Sequence, residues 1–327
     1  MVAMNKTTFL GCVAMMTACV SCTMENTPES ITKTPDMVVQ TRSAVDNKLQ
    51  QKVTAVLENK MAEVGSPAGQ VIVMEVATGQ VKAMVNVGEL EQPAREDYIE
   101  AFSVPTGLSR SIAALAVLES GRVTLEDRFD VGNGILALAE NDTLVDHNWH
   151  RGGYGVISLM QALNVSSIIG VYKAVKAAFD DEGQYYDRLR KIYDFEQNTL
   201  LNQLTFYNAV ANNGTMLKPL PEEGAPVVLS PRIASREGIA NMQHALQTNV
   251  SEGLGMRAHS DKVAVAGDVG TCNTVNGHWL AQFCGYFPAE APQYTVMVNI
   301  QRNGIPVSGG SMAAPVFKEI AEYLVAE

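Results

Sequence analysis

The stretch VPTGLSRSI, Val104 to Ile112, sets Ser109, Arg110 and Ser111 at the head of an apolar helical pattern, with Ser103 just upstream. A serine becomes a nucleophile only where a base takes its proton. An amine one helical turn away supplies that base, because residues i and i+3 share a helix face. None of these serines has a lysine three residues on. The only Ser-x-x-Lys string, Ser30 to Lys33, lies in a polar stretch with Pro35 close behind, and no rigid frame would hold it. A Gly-x-Ser-x-Gly elbow is also missing, which leaves a Ser-His-Asp hydrolase without support.

Other chemistry-bearing residues carry weaker signals. Asp146, His147 and His150 in DHNWHRGG have the short spacing of zinc ligands. His244, His259 and His278 stand alone and read as surface or helix histidines. Gly152 to Gly155, GGYG, lacks the lysine and the strand-to-helix setting of a phosphate loop, so it reads as a flexible corner. Trp149 and Trp279 could stack on sugar rings, but packing is the preferred reading. Cys272 and Cys284 have no disulfide framework around them and are expected to stay unbridged.

A net charge of −11 over 327 residues, with no basic run, argues against nucleic acid as a partner. Residues 1–22, MVAMNKTTFLGCVAMMTACVSC, have one lysine and then an uncharged, mostly apolar run ending in small residues and cysteines. They read as a secretory signal. MTAC and CVSC both resemble the lipobox of bacterial lipoproteins, so Cys19 or Cys22 is the expected lipid anchor. Thr23 to Val38 is polar and proline-bearing, as a flexible tether is.

These candidates need elements to hold them. Val45, Leu49, Val53, Val56, Leu57 and Met61 form one helical stripe. GQVIVMEVATGQVKAMVNV reads as a hairpin turning at Gly79. RSIAALAVLESG reads as a helix closed by Gly121. Helical patterns recur at VISLMQALNVSSIIGVYKAVKAAF, YYDRLRKIYDF and LLNQLTFYNAVANNG. Three strand-like runs, KVAVAGDVGTC, WLAQFCGYFPAE and YTVMVNIQR, precede a final helix. The expected fold is α+β: an antiparallel sheet built from both chain ends, flanked by helices, with a mostly helical insert.

This order of elements, together with VDNKLQQKV, IAALAVLESGRVTLEDRFDVGNG, GGYGVISLMQALNVSS, LTFYNAVANNGTMLKP and GGSMAAPVFKEIAEYL, resembles the transpeptidase domain of class B penicillin-binding proteins, from about Val39 to Glu327. The family's N-terminal pedestal domain and membrane-spanning anchor find no counterpart here, and the lipoprotein signal would take the anchor's place. The resemblance implies serine acylation through SxxK, SxN and KTG motifs, and it assigns DHNWHRGG to a loop rather than a metal site. It implies no cofactor.

In this sequence every motif departs from that pattern. The nucleophile position is Gly107, which has no hydroxyl, and the base position is Arg110, which stays protonated. SxN keeps Ser166 but has Ile168 for its asparagine. Without their partners, Ser166 and Ser167 read as a helix-start pair satisfying backbone donors. KTG keeps Gly270 and the following Thr271, with Asp268 for lysine and Val269 for the hydroxyl residue. Asp268 is expected to repel a carboxylate by about 4 kcal/mol at ~4 Å.

The resulting expectation is a lipid-anchored envelope protein, periplasmic or in the outer membrane. It would be catalytically inactive, with Ser166, Gly270 and Thr271 as a residual binding cleft. Its ligand would be a peptidoglycan stem peptide or a cell-wall synthesis protein. The alternative is an active serine D,D-transpeptidase or hydrolase with a relocated nucleophile such as Ser109 or Ser166.

Overall fold

The computed structural model describes residues 42–91, 107–139, 142–193, 199–274 and 276–327. The signal, the tether, Cys19, Cys22, Ser103 and the first residues of VPTGLSRSI lie outside them. Asp46 opens helix α1 (Asn47–Val64) by accepting from the amides of Lys48 and Leu49. Gly65, at φ 63°, closes it. An anionic N-cap and a left-handed glycine end satisfy the orphan backbone groups at either terminus. Val45 falls before this cap rather than on the stripe, while Leu49, Val53, Val56, Leu57 and Met61 are buried as the spacing requires.

Strands β1 (Gly69–Glu75) and β2 (Val81–Val87) form the expected hairpin, with Gly79 at φ 76° in its turn. Near the other end, β9 (Ala266–Asn273), β10 (Trp279–Phe287) and β11 (Tyr294–Arg302) make an antiparallel meander. The pairing of β1 with β11 joins the two groups, in the order β2-β1-β11-β10-β9. The sheet is therefore assembled from both ends of the sequence.

Alternation along β1 sorts its side chains into two cores. Val71 and Val73 face α1 and the last helix, α8 (Gly309–Leu324). Ile72 and Met74 face a second, larger cluster with the helical insert. Both faces are covered, so alternate positions are all apolar and the strand reads as one continuous hydrophobic run. Phe283, Phe287 and Phe317 meet in the α8 layer, with ring centroids 4.7 Å apart for Phe283 and Phe317 and 5.7 Å for Phe287 and Phe317. Full burial of one such ring contributes about 1.5–3 kcal/mol.

The insert carries α2 (Ser109–Leu118), strands β3 (Arg128–Gly132), β4 (Ile135–Ala139), β5 (Asp142–Val145) and β6 (Gly155–Ser158), then α3 (Leu159–Asn164), α4 (Ile168–Ala178), α5 (Glu182–Ile192) and α6 (Leu200–Ala211). Strands β7 (Met216–Leu217) and β8 (Val228–Ser230) and helix α7 (Arg236–Glu252) complete it. The expected helical character holds, but three two-stranded sheets accompany the helices, β3 with β6, β4 with β5, and β7 with β8. The single helical pattern expected across VISLMQALNVSSIIG is broken into β6, α3 and α4. The break is a backbone corner at Ser166, φ 55°, which apolar spacing alone does not reveal.

Helix α8 starts hard against the sheet. A Cβ at Gly309 would lie 2.1 Å from the carbonyl oxygen of Gln282 and 2.6 Å from that of Gly270. Gly309→Ala is therefore expected to cost about 1–3 kcal/mol through overpacking, seen as a lower denaturation midpoint with an unchanged m-value. An unchanged midpoint would show that the contact relaxes freely.

Candidate active-site corner

Three elements meet at one place: the start of α2, the corner between α3 and α4, and the edge strand β9. Glycine at 107 fits a backbone held at φ 52°, where a side chain is strained. It is buried, and a Cβ built on it would lie 3.5 Å from the carbonyl oxygen of Thr271 and 3.7 Å from Cβ of Cys272. At Gly270 a Cβ would come within 3.0 Å of the Leu108 side chain and 3.1 Å of its amide nitrogen. A glycine is needed there for α2 to approach β9.

Arg110 is the second residue of α2 and only 4% exposed. Its Nη2 donates to Ser166 Oγ and to the carbonyl oxygen of Val269, each at 2.9 Å, while Nε has no partner. Ser166 is thus not part of a helix-start pair, contrary to the sequence reading. Ser167 alone caps α4, accepting from the amide of Gly170, and its hydroxyl donates to Asp146 Oδ2 at 2.6 Å. Asp146 also accepts from the amide of Ile169, and is fully buried. Both of its oxygens are therefore engaged in pinning the start of α4. His147 bonds Tyr154 through Nε2 at 3.1 Å, and burial lowers its pKa.

Asp268 is not an open carboxylate. It is 1% exposed, Oδ2 accepting from Ser111 Oγ at 2.8 Å and Oδ1 from Asn249 Nδ2 at 3.0 Å and the amide of Val269 at 2.8 Å. The expected repulsion at its motif position assumed an open carboxylate, and burial against α2 and α7 removes that premise. Loss of hydration raises its pKa, and the Arg110 charge and its hydrogen bonds pull it partly back. Ser111 was quoted in the sequence only as a serine without a lysine, and Asn249 was not singled out. Only the fold brings α7 to β9, so no local spacing marks Asn249.

Gly107, Arg110, Ser166 and Asp268 thus converge, with Gly270 and Thr271 beside Gly107. Ile168 opens α4 two residues from Ser166, its side chain half-buried against the apolar core. Cys272 and Cys284 are not bridged. On β10, Cys284 lies opposite Asp268, and burial raises its thiol pKa. Chemically the corner holds one guanidinium, one carboxylate and several hydroxyls. The hydroxyls of Ser166 and Ser111 sit beside the guanidinium and the carboxylate respectively.

A raised folded-state pKa at Asp268 means that the native state holds its proton to higher pH than the unfolded chain does. Asp268 therefore favours folding less as pH rises from about 4 through the raised value. Asp268→Asn should lack this slope, so its stability relative to the parent should improve across that window in denaturant titrations. Parallel pH profiles for the two proteins would contradict it.

Residues 196–322 match the family model of the penicillin binding protein transpeptidase domain. The chain is 29% identical over 155 residues to penicillin-binding protein PbpB of Mycolicibacterium smegmatis, covering 39% of this chain and 24% of that protein. It is 24% identical to stage V sporulation protein D of Bacillus subtilis, over 84% of this chain and 52% of that one. It is 23% identical to the probable peptidoglycan D,D-transpeptidase PbpC of Pseudomonas aeruginosa, over 89% and 59%. The chain thus spans from about a quarter to three fifths of the length of these relatives. Among solved structures, the apo transpeptidase (TP) domain of penicillin-binding protein 3 from Burkholderia pseudomallei superposes with a TM-score of 0.70 at 19% identity, over 88% of this chain and 96% of that one. A peptidoglycan glycosyltransferase from Burkholderia ambifaria gives the same TM-score at 20% identity, over 87% and 96%. The fold is that of these domains, and the resemblance to penicillin-binding protein transpeptidase domains read from the sequence holds.

Proposed function

We propose that the chain is a catalytically silent member of this group, a lipid-anchored envelope protein whose role is binding in cell-wall synthesis. The observation that carries this reading is Arg110. The motif assignment puts it where the family's general base stands, and its guanidinium is committed to Ser166 and Val269. It has no lone pair with which to take a proton. Gly107, at the nucleophile position, has no hydroxyl to offer. Acylation needs both groups together, so each loss alone suffices to stop it.

The relocated-nucleophile alternative draws no support from the corner. Ser166 Oγ accepts from the guanidinium, and Ser111 Oγ donates to a carboxylate that burial keeps from acting as an open base. Ser109 is 3% exposed, out of reach of an incoming carbonyl. Lipidation at Cys19 or Cys22 and a place in the periplasm or outer membrane follow from the leader sequence. The names of the relatives favour a peptidoglycan stem peptide or a cell-wall synthesis protein as the partner.

Fluorescent penicillin is the direct test. The purified protein should give no boil-resistant adduct, and neither should Gly107→Ser, because three residues on stands Arg110, which stays protonated and cannot act as base. A covalent band from either protein would overturn the proposal.

A further inference from the structure

We infer that the corner is a guanidinium site filled in cis: Arg110 acts as an internal ligand that straps the α3–α4 corner to β9 and closes the space between them. This rests on the motif assignment above and goes further, because it names the chemistry the site accepts. Its walls present acceptors. The carbonyl oxygen of Val269 has no proton to give, Ser166 Oγ receives one from Nη2, and the carboxylate of Asp268 interacts electrostatically with the guanidinium. A planar cation with several N–H groups satisfies such walls.

The geometry makes Arg110 a strap as well as a filling. One nitrogen bridges two elements that are far apart in sequence, at Ser166 and Val269. The Ser166 end is a backbone corner at φ 55°, a conformation that a non-glycine residue holds only when its surroundings fix it. The Val269 end lies on β9, which among the described residues is an edge strand of the sheet, with no strand paired on the side away from β10. Each end gains its restraint from the same guanidinium. A ligand entering between them would first have to displace it.

Asp146 holds the far side of the corner independently, through Ser167 and the amide of Ile169. Loss of the strap should therefore loosen Ser166 and the β9 edge without melting α4. That separates a strap from a residue whose loss merely unfolds the domain.

The test is hydrogen exchange on the full chain. Arg110→Met keeps an unbranched apolar stem and removes the guanidinium with its donors. Amides at 165–167 and 269–272 should exchange at least about tenfold faster than in the parent, while those of 171–178 in α4 keep their rates. Arg122→Met, which removes an exposed ion pair with Asp180, serves as the control and should leave both corner segments unchanged. In Arg110→Ala, millimolar ethylguanidinium should restore slow exchange, and ethylammonium at equal concentration should not. If Arg110→Ala fails to fold, Arg110→Met carries the test alone. Parent-like exchange at both segments in Arg110→Met would overturn the strap. Equal rescue by the two cations in Arg110→Ala would overturn the guanidinium assignment. Penicillin labelling of the unaltered chain is a separate measurement, so failure of the strap and failure of the silent-enzyme reading are told apart.

Discussion

A single buried guanidinium ties the interior of this domain together. Arg110 lies on a helix whose residues from Ser109 to Val117 are all buried, and its charge could not stay there without acceptors. The β9 carbonyl and the Ser166 hydroxyl supply them from two directions. Removing one partner from such a buried charged group costs about 3–5 kcal/mol, because the other is left uncompensated. The relative positions of α2, the α3–α4 corner and β9 are thus mutually dependent.

The charge at the KTG position follows the same logic. A guanidinium without a nearby negative charge would be expensive in this interior, and Asp268 supplies one on the next strand segment. Its own cost is met in part by Ser111, Asn249 and the amide of Val269. Two changes that look like separate losses in the sequence are electrostatically coupled in the fold. A polar row elsewhere on the sheet is satisfied in a comparable way: Gln70 bonds Asn86, Asn299 bonds Gln70, and Gln282 bonds Asn299 across four strands. Amides joined side by side in this manner, buried at Gln282 and Asn299, hold strand register, since a slip would leave them unpaired.

Much of the architecture was legible because it rests on local periodicity. The stripe of α1, the Gly79 hairpin, the three late strands and the closing helix follow from apolar spacing and turn residues, and these elements suffice to predict a sheet drawn from both ends. Helix α7 and the small two-stranded sheets were not read, since their runs are short or their apolar stripe is weak. The Ser166 corner was missed for a different reason. A residue in a left-handed conformation interrupts a helical pattern without altering the spacing of its apolar residues.

The identities at 107, 110, 166, 168 and 268 are fixed by the sequence, and with them the absence of a hydroxyl and of a lysine amine at the motif positions. That much is a matter of covalent chemistry, and no folding could change it. The sequence also sets which positions are apolar, and hence the layering of helices on a sheet. Only the tertiary structure decided that Asp268 is buried against α2 and α7, that Ser166 pairs with Arg110, and that Asn249 completes the carboxylate's shell. Those outcomes depend on burial and on contacts between residues from 19 to 159 positions apart, and burial is a property of the packed whole.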